Sequence, residues 1–172
     1  MGDPRHITKE GTNFEAYDLY QEHVKMMPVW THPEYLTMDD VYPPESYVEL
    51  VRKRERRKLW GVKDPRLCFL FPVFLSALSE KTKEVKVISM ERSLEASVQS
   101  LVARDGLDFD EARRIIVAYE NARSGMLELY GPHFQMLAVY YSDLRDNPRR
   151  QVTRIADFLG VEVTDEAVDH IK

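Results

Sequence analysis

Residues 92–100, RSLEASVQS, place one guanidinium and three hydroxyls at spacings that fall along one side of a helix: Arg92, Ser93, Ser97 and Ser100. They follow VKVISM (85–90), an apolar run of the kind that forms a buried strand. A strand that ends on an arginine and turns into a helix can hold a phosphate or sulfate. The helix N-terminus offers free N–H groups and the positive end of its dipole, and Arg92 adds a charge-assisted fork. Ser97 and Ser100 add neutral donors. A plainer reading uses the same residues: Ser93 caps the helix, the small hydroxyls permit close packing, and Arg92 pairs with Glu91, Glu95 or Asp143.

A second group is Lys63-Asp64-Pro65-Arg66. Lys63 and Arg66 could hold a negatively charged reacting group, with Asp64 as a base or as an orienting partner for Lys63. The alternative is an Asp-Pro turn whose charges pair with each other. Glu15 and His23 fall in the first helical pattern, where a surface position is expected for both. The run RKRERRK (52–58) holds six cations in seven residues and reads as the solvated carboxyl end of a helix, rather than a patch for a polyanion. The five histidines share no metal-ligand spacing, no G-x-S-x-G occurs, and Cys68 lies in an apolar segment. No metal site is expected.

The elements that must position these groups alternate. Apolar periodicity predicts helices over 14–27, with Asn13 as cap, and over PPESYVELVRKRERRK (43–58). LWGVKD (59–64) reads as a short strand and CFLFPVFLSALSE as a buried helix. VKVISM is the second strand. Its helix runs from about 94 to 105, and a long helix follows, capped by Asp108 with Glu111 and stopped at Gly131-Pro132. FQMLAVYY (134–141) is the third strand. A helix then opens at Asn147-Pro148 and closes at Gly160, and Thr164 caps a last short helix. Residues 28–44, with their prolines, read as an ordered loop. This alternation predicts a helix-rich α/β domain over 1–172, with a parallel sheet covered on both faces. Ligands of such sheets bind beyond the carboxyl ends of the strands, which gathers KDPR, ERS and YSDL at one site.

The bulk properties exclude several classes. The chain has 172 residues, enough for one domain with a real core. Its net charge of −5 argues against a general nucleic-acid or membrane-surface binder. The longest apolar run is too short for a bilayer and contains Pro72. No signal-peptide pattern opens the chain, and a single cysteine permits no internal disulfide, which together fit a cytoplasmic protein.

With these groups assembled, the chain resembles the PAPS-dependent sulfotransferase family, in its bacterial and phage-like branch. Three blocks carry the resemblance: WGVKDPRLCFLFPVF, VKVISMERSLEASVQS and YSDLRDNPRRQVTRIADFLGV. NFEAYDLYQEHV is similar to the family's early helix. The resemblance implies a P-loop-NTPase-like fold and transfer of a sulfuryl group from PAPS to an acceptor hydroxyl or amine. It implies that Arg92 and Ser100 hold the 3′-phosphate of PAPS or PAP, with Ser97 and Arg66 as further cofactor contacts. Lys63, Asp64 and Glu15 are then the catalytic candidates. The animal cytosolic branch has a histidine two residues after the lysine of the KDPR-like loop; here that position is Pro65.

One part of the family pattern has no counterpart. None of the seven glycines, at 2, 11, 61, 106, 125, 131 and 160, forms a glycine-rich phosphate loop. The resemblance therefore implies a sheet without its usual first βα unit, and a homodimer or another partner covering the missing strand. The acceptor, small molecule or glycan-like, is unassigned. A non-catalytic binding or dimerisation module on the same fold is the alternative to an enzyme. A P-loop kinase relative is a third and weaker option, lacking G-K-[ST].

Overall fold

The computed structural model describes residues 17–27, 42–82 and 84–169. Glu15, Asn13 and most of the proline-rich loop lie outside them. The elements run α1 (Tyr17–Met26), α2 (Glu45–Arg54), α3 (Leu67–Ala77), β1 (Lys86–Glu91), α4 (Leu94–Asp105), α5 (Phe109–Tyr130), β2 (Gln135–Tyr140), α6 (Tyr141–Asp146), α7 (Pro148–Leu159) and α8 (Asp165–Asp169). The result is a helix-rich α/β arrangement around a small parallel sheet.

β1 and β2 pair in parallel from Lys86↔Gln135 to Glu91↔Tyr140. Side chains alternate across a sheet, so Val87 and Ser89 share one face and Lys86 the other. Val87 packs into the main core with Phe71 of α3 and Tyr119 of α5, and Ser89 accepts from Arg123 of α5. On the opposite face Lys86 Nζ donates to the Phe158 carbonyl of α7 at 2.7 Å. Helices therefore cover both faces, as the alternating pattern predicts.

The first expected strand, LWGVKD, is absent among the described residues. Residues 60–64 of LWGVKD form no ladder, because no described strand lies beside them to accept their backbone hydrogen bonds. Trp60 and Val62 still pack on the core, so the apolar signal was sound and only its reading as a strand was not. The predicted helix over 43–58 also ends early, at Arg54. Its buried stripe is Tyr47 and Val51, and the next position, Glu55, has no apolar side chain to continue it. In α1 the buried side chains are Leu19, Glu22 and His23, with Met27 buried just past its end.

The main core is built around α3. Phe71 stacks on Phe74 and meets Tyr130 and Phe134 edge-on at 5.5 and 5.7 Å. A satellite core joins α4 to α5 through Val98, Leu101, Ala112 and Ile115. Two predicted caps are present: Ser93 Oγ accepts from Ala96 N–H, and Asp108 accepts from Asp110 and Glu111 N–H. Gly160 closes α7 in the left-handed conformation, φ 72°.

Candidate functional site

The carboxyl ends of β1 and β2 lie side by side because the strands end in register at Glu91 and Tyr140. β1 turns through Arg92 and Ser93 into α4, whereas β2 runs directly into α6, so YSDL opens a helix and is not a loop. The next residue on each strand carries the contact. Arg92 stacks its guanidinium over the Tyr141 ring, 4.8 Å from the centroid. Arg92 forms no ion pair among the described residues, so the pairing with Glu91, Glu95 or Asp143 that the plainer reading offers is not made. Glu91 turns instead to Arg123, 3.3 Å away, and Glu95 accepts from Gln99. Arg92 thus stands exposed at the start of α4, held by an aromatic face that leaves its N–H fork available.

Ser93 is spent on capping α4. Ser97 is half-buried and Ser100 exposed, four and seven residues along the same helix. The spacing sets both hydroxyls on the Ser93 side of α4.

The KDPR loop is held from below. Asp64 is buried, and its Oδ1 accepts from the Arg66 backbone N–H at 2.9 Å and from Arg66 Nη1 at 3.1 Å. Its Oδ2 meets His23 Nδ1 at 3.0 Å. His23 is fully buried, not on the surface as expected, and its Nε2 lies 2.9 Å from the Tyr47 hydroxyl. Burial alone would raise the Asp64 carboxyl; the His23 hydrogen bond and the Arg66 contacts outweigh it and hold the group below the usual carboxylate value. An ionised Asp64 accepts, so His23 Nδ1 donates; in the neutral ring Nε2 then accepts from Tyr47. Burial also pushes the Tyr47 hydroxyl well above the ordinary tyrosine value. Arg66 completes the cluster over the Tyr20 ring at 5.1 Å, and its buried Nε has no hydrogen-bond partner. Lys63, next in chain to Asp64, is exposed.

One helix joins the two halves. On α5, Tyr119 lies in the fields of Arg66 and Asp64 and meets Phe69 edge-on at 5.1 Å. One turn later, about 6 Å along the axis, Arg123 binds Ser89 and Glu91 at the end of β1. The helix that follows the KDPR loop and the end of β1 therefore meet successive turns of α5. The Cys68 thiol, beside this junction, is pushed up to about 11, chiefly by burial.

Tyr141, Arg123 and Tyr47 were not among the expected site residues. Tyr141 had a signal, since it opens YSDL directly after a strand. Arg123 and Tyr47 had none, being single positions on helices. Among the described residues no cluster of three or more His, Cys, Asp or Glu could hold a metal. No helix among them is long and apolar enough to cross a membrane. An open cleft of about 280 Å³ lies at the amino ends of the strands, lined by Thr82, Glu84, Val85, His133, Phe134 and Gln135, away from these loops.

Residues 107–172 match the family model described as the sulfotransferase domain. The match spans α5, β2, α6, α7 and α8, and includes Arg123 and Tyr141. Lys63, Asp64, Arg66, Arg92, Ser97 and Ser100 lie before it. Neither the curated proteins nor the solved structures give a significant match.

Proposed function

We propose that this chain forms the 3′-phosphate half of a sulfotransferase site. Arg92 and Ser100, with Ser97 in support, hold the 3′-phosphate of PAPS, which supplies a sulfuryl group for an acceptor hydroxyl or amine. The observation that carries this reading is the stacked Arg92 at the start of α4, with no acid partner among the described residues. The sulfotransferase-domain match of the adjoining residues 107–172 supports it.

These residues suit the group chemically. A doubly charged phosphate at this position meets the Arg92 fork and the amino end of a helix of twelve residues. The acid nearest in sequence, Glu91, turns to Arg123, which it shares with Glu120, and does not pair with Arg92. Lys63 is assigned to the reacting sulfuryl end. The buried Asp64, bound by His23 and Arg66, braces the loop that carries Lys63; Glu15 is the remaining proposed base. The sequence has no glycine-rich loop for the 5′-phosphosulfate, which favours, as a second reading, a module that binds the nucleotide without turnover.

Titration calorimetry with PAP and with adenosine 5′-phosphate tests the half-site. The proposal expects PAP to bind at least about tenfold more tightly, since hydrogen bonds to a charged group contribute roughly 1.5–3 kcal/mol. Equal affinity for the two nucleotides, or none for PAP, would remove it. Production of sulfated acceptor from PAPS separates the enzyme from the binding module.

A further inference from the structure

The segment 52–58, RKRERRK, carries six cations and one carboxylate. Inside a helix such a run would be a solvated end matched to the helix dipole. Here α2 stops at Arg54, so Arg56, Arg57 and Lys58 lie in the turn beyond it. The dipole's influence falls off within the last helical turn and does not account for them.

Nor do neighbouring acids. Arg54 is committed to Asp18 and to the Leu50 carbonyl. Glu55 is turned inward, its Oε1 accepting from Ser79 N–H at 2.9 Å and from the Thr82 hydroxyl. Arg52, Lys53, Arg56, Arg57 and Lys58 remain exposed, and none forms an ion pair among the described residues. Clustered like charge of this kind costs stability, which a bound polyanion relieves.

We propose that this segment docks a linear sulfated polysaccharide. Three of the five exposed cations are arginines, whose planar forks match sulfate oxygens. The segment contributes +5 to a chain of net charge −5, so the rest of the molecule sums to −10. A flat anionic bilayer or a broad duplex would press against that acidic remainder, whereas a narrow chain can lie along the segment alone. Leu59 is the exposed large apolar side chain adjoining the run, and Trp60 turns inward onto Phe74, 5.9 Å away. Neither a membrane-inserting face nor a base-stacking platform accompanies the charge. The inference stands apart from the nucleotide reading, because neither Arg92 nor Lys63 enters it.

The test titrates the full chain with labelled dextran sulfate, unsulfated dextran, duplex DNA and phosphatidylserine vesicles, at low and physiological ionic strength. Dextran sulfate is expected to bind most tightly and to weaken with salt. The variant R56Q/R57Q/K58Q, changed only at exposed positions, should lose at least about tenfold in affinity and show a flatter salt dependence, since each lost cation releases one counter-ion fewer. The control R113Q/R150Q removes two exposed cations elsewhere and should bind as the wild type does. No binding of dextran sulfate overturns the proposal. So does binding that survives the triple substitution, or an equal loss in the control. Tighter binding of duplex DNA or vesicles overturns it in favour of those partners.

Discussion

The guanidinium of Arg92 lies 4.8 Å from the centroid of the Tyr141 ring. The stack extends the sheet register by one residue, because Arg92 and Tyr141 each follow a member of the pair Glu91↔Tyr140. A parallel pair of strands thus delivers a cation and the surface that orients it to the same edge. An isolated exposed arginine would sample many rotamers; this one is partly ordered before any anion arrives.

Tyr141→Ala removes that surface. Affinity for PAP is expected to fall about 2- to 5-fold, the range of an exposed cation–π contact, while Tyr141→Phe retains it. Calorimetric titration of the two variants measures this. An equal loss in both would point to the hydroxyl instead of the ring.

His23 joins Tyr47 of α2 to Asp64 of the KDPR loop inside the core. His23→Ala leaves a buried carboxylate and a buried hydroxyl each short of a partner. Urea unfolding should show a loss of about 3 kcal/mol or more. Tyr47→Phe removes one hydrogen bond and should cost about 1–2 kcal/mol. A His23→Ala variant as stable as the wild type would show that the network does not hold these elements together.

Asp64 sets part of the acid limb of stability. Its folded-state value is depressed, so the folded chain binds fewer protons than the unfolded chain and stability rises with pH. The contribution is complete above the ordinary carboxylate value, about 4, and is lost as pH falls through the lower folded value. Asp64→Asn should therefore unfold with a shallower pH dependence below about pH 4. Asp18, Glu22 and Glu55 are also held low and keep the limb from vanishing. Acid titration followed by circular dichroism checks the slope; an unchanged slope contradicts the assignment.

Three glycines separate backbone conformation from packing. A Cβ at Gly106, Gly125 or Gly160 would meet nothing within 4 Å. Gly106 and Gly160 hold φ of 69° and 72°, so alanine there should cost about 1–2 kcal/mol from the left-handed backbone alone. Gly125 lies within α5, and alanine there should stabilise by roughly 0.5–1 kcal/mol. Thermal unfolding of the three variants gives the signs.

What was legible in the sequence was what local chemistry decides. Ser93, Asp108 and Gly160 mark helix ends through contacts a few residues away, and each does so in the structure. VKVISM and FQMLAVYY were readable because both strands are apolar and find each other. LWGVKD carried the same apolar signal but lacks a neighbouring ladder, which no local pattern encodes. The run after Arg54 favours helix by composition, yet has no apolar face to bury. His23 was misplaced on the surface because its two partners lie 24 and 41 residues away in sequence. Arg123 was invisible for the same reason, reaching 34 residues back to Ser89.

The central claim, that Arg92 holds a 3′-phosphate, is tested most directly by calorimetric titration of PAP into the wild type and Arg92→Ala. Arg92 is exposed and its removal leaves the core intact, so a change in binding reports the contact itself. The wild type should bind, and Arg92→Ala should bind about 10- to 100-fold more weakly, the loss of charge-assisted hydrogen bonds. Equal affinity in the two proteins would contradict the claim.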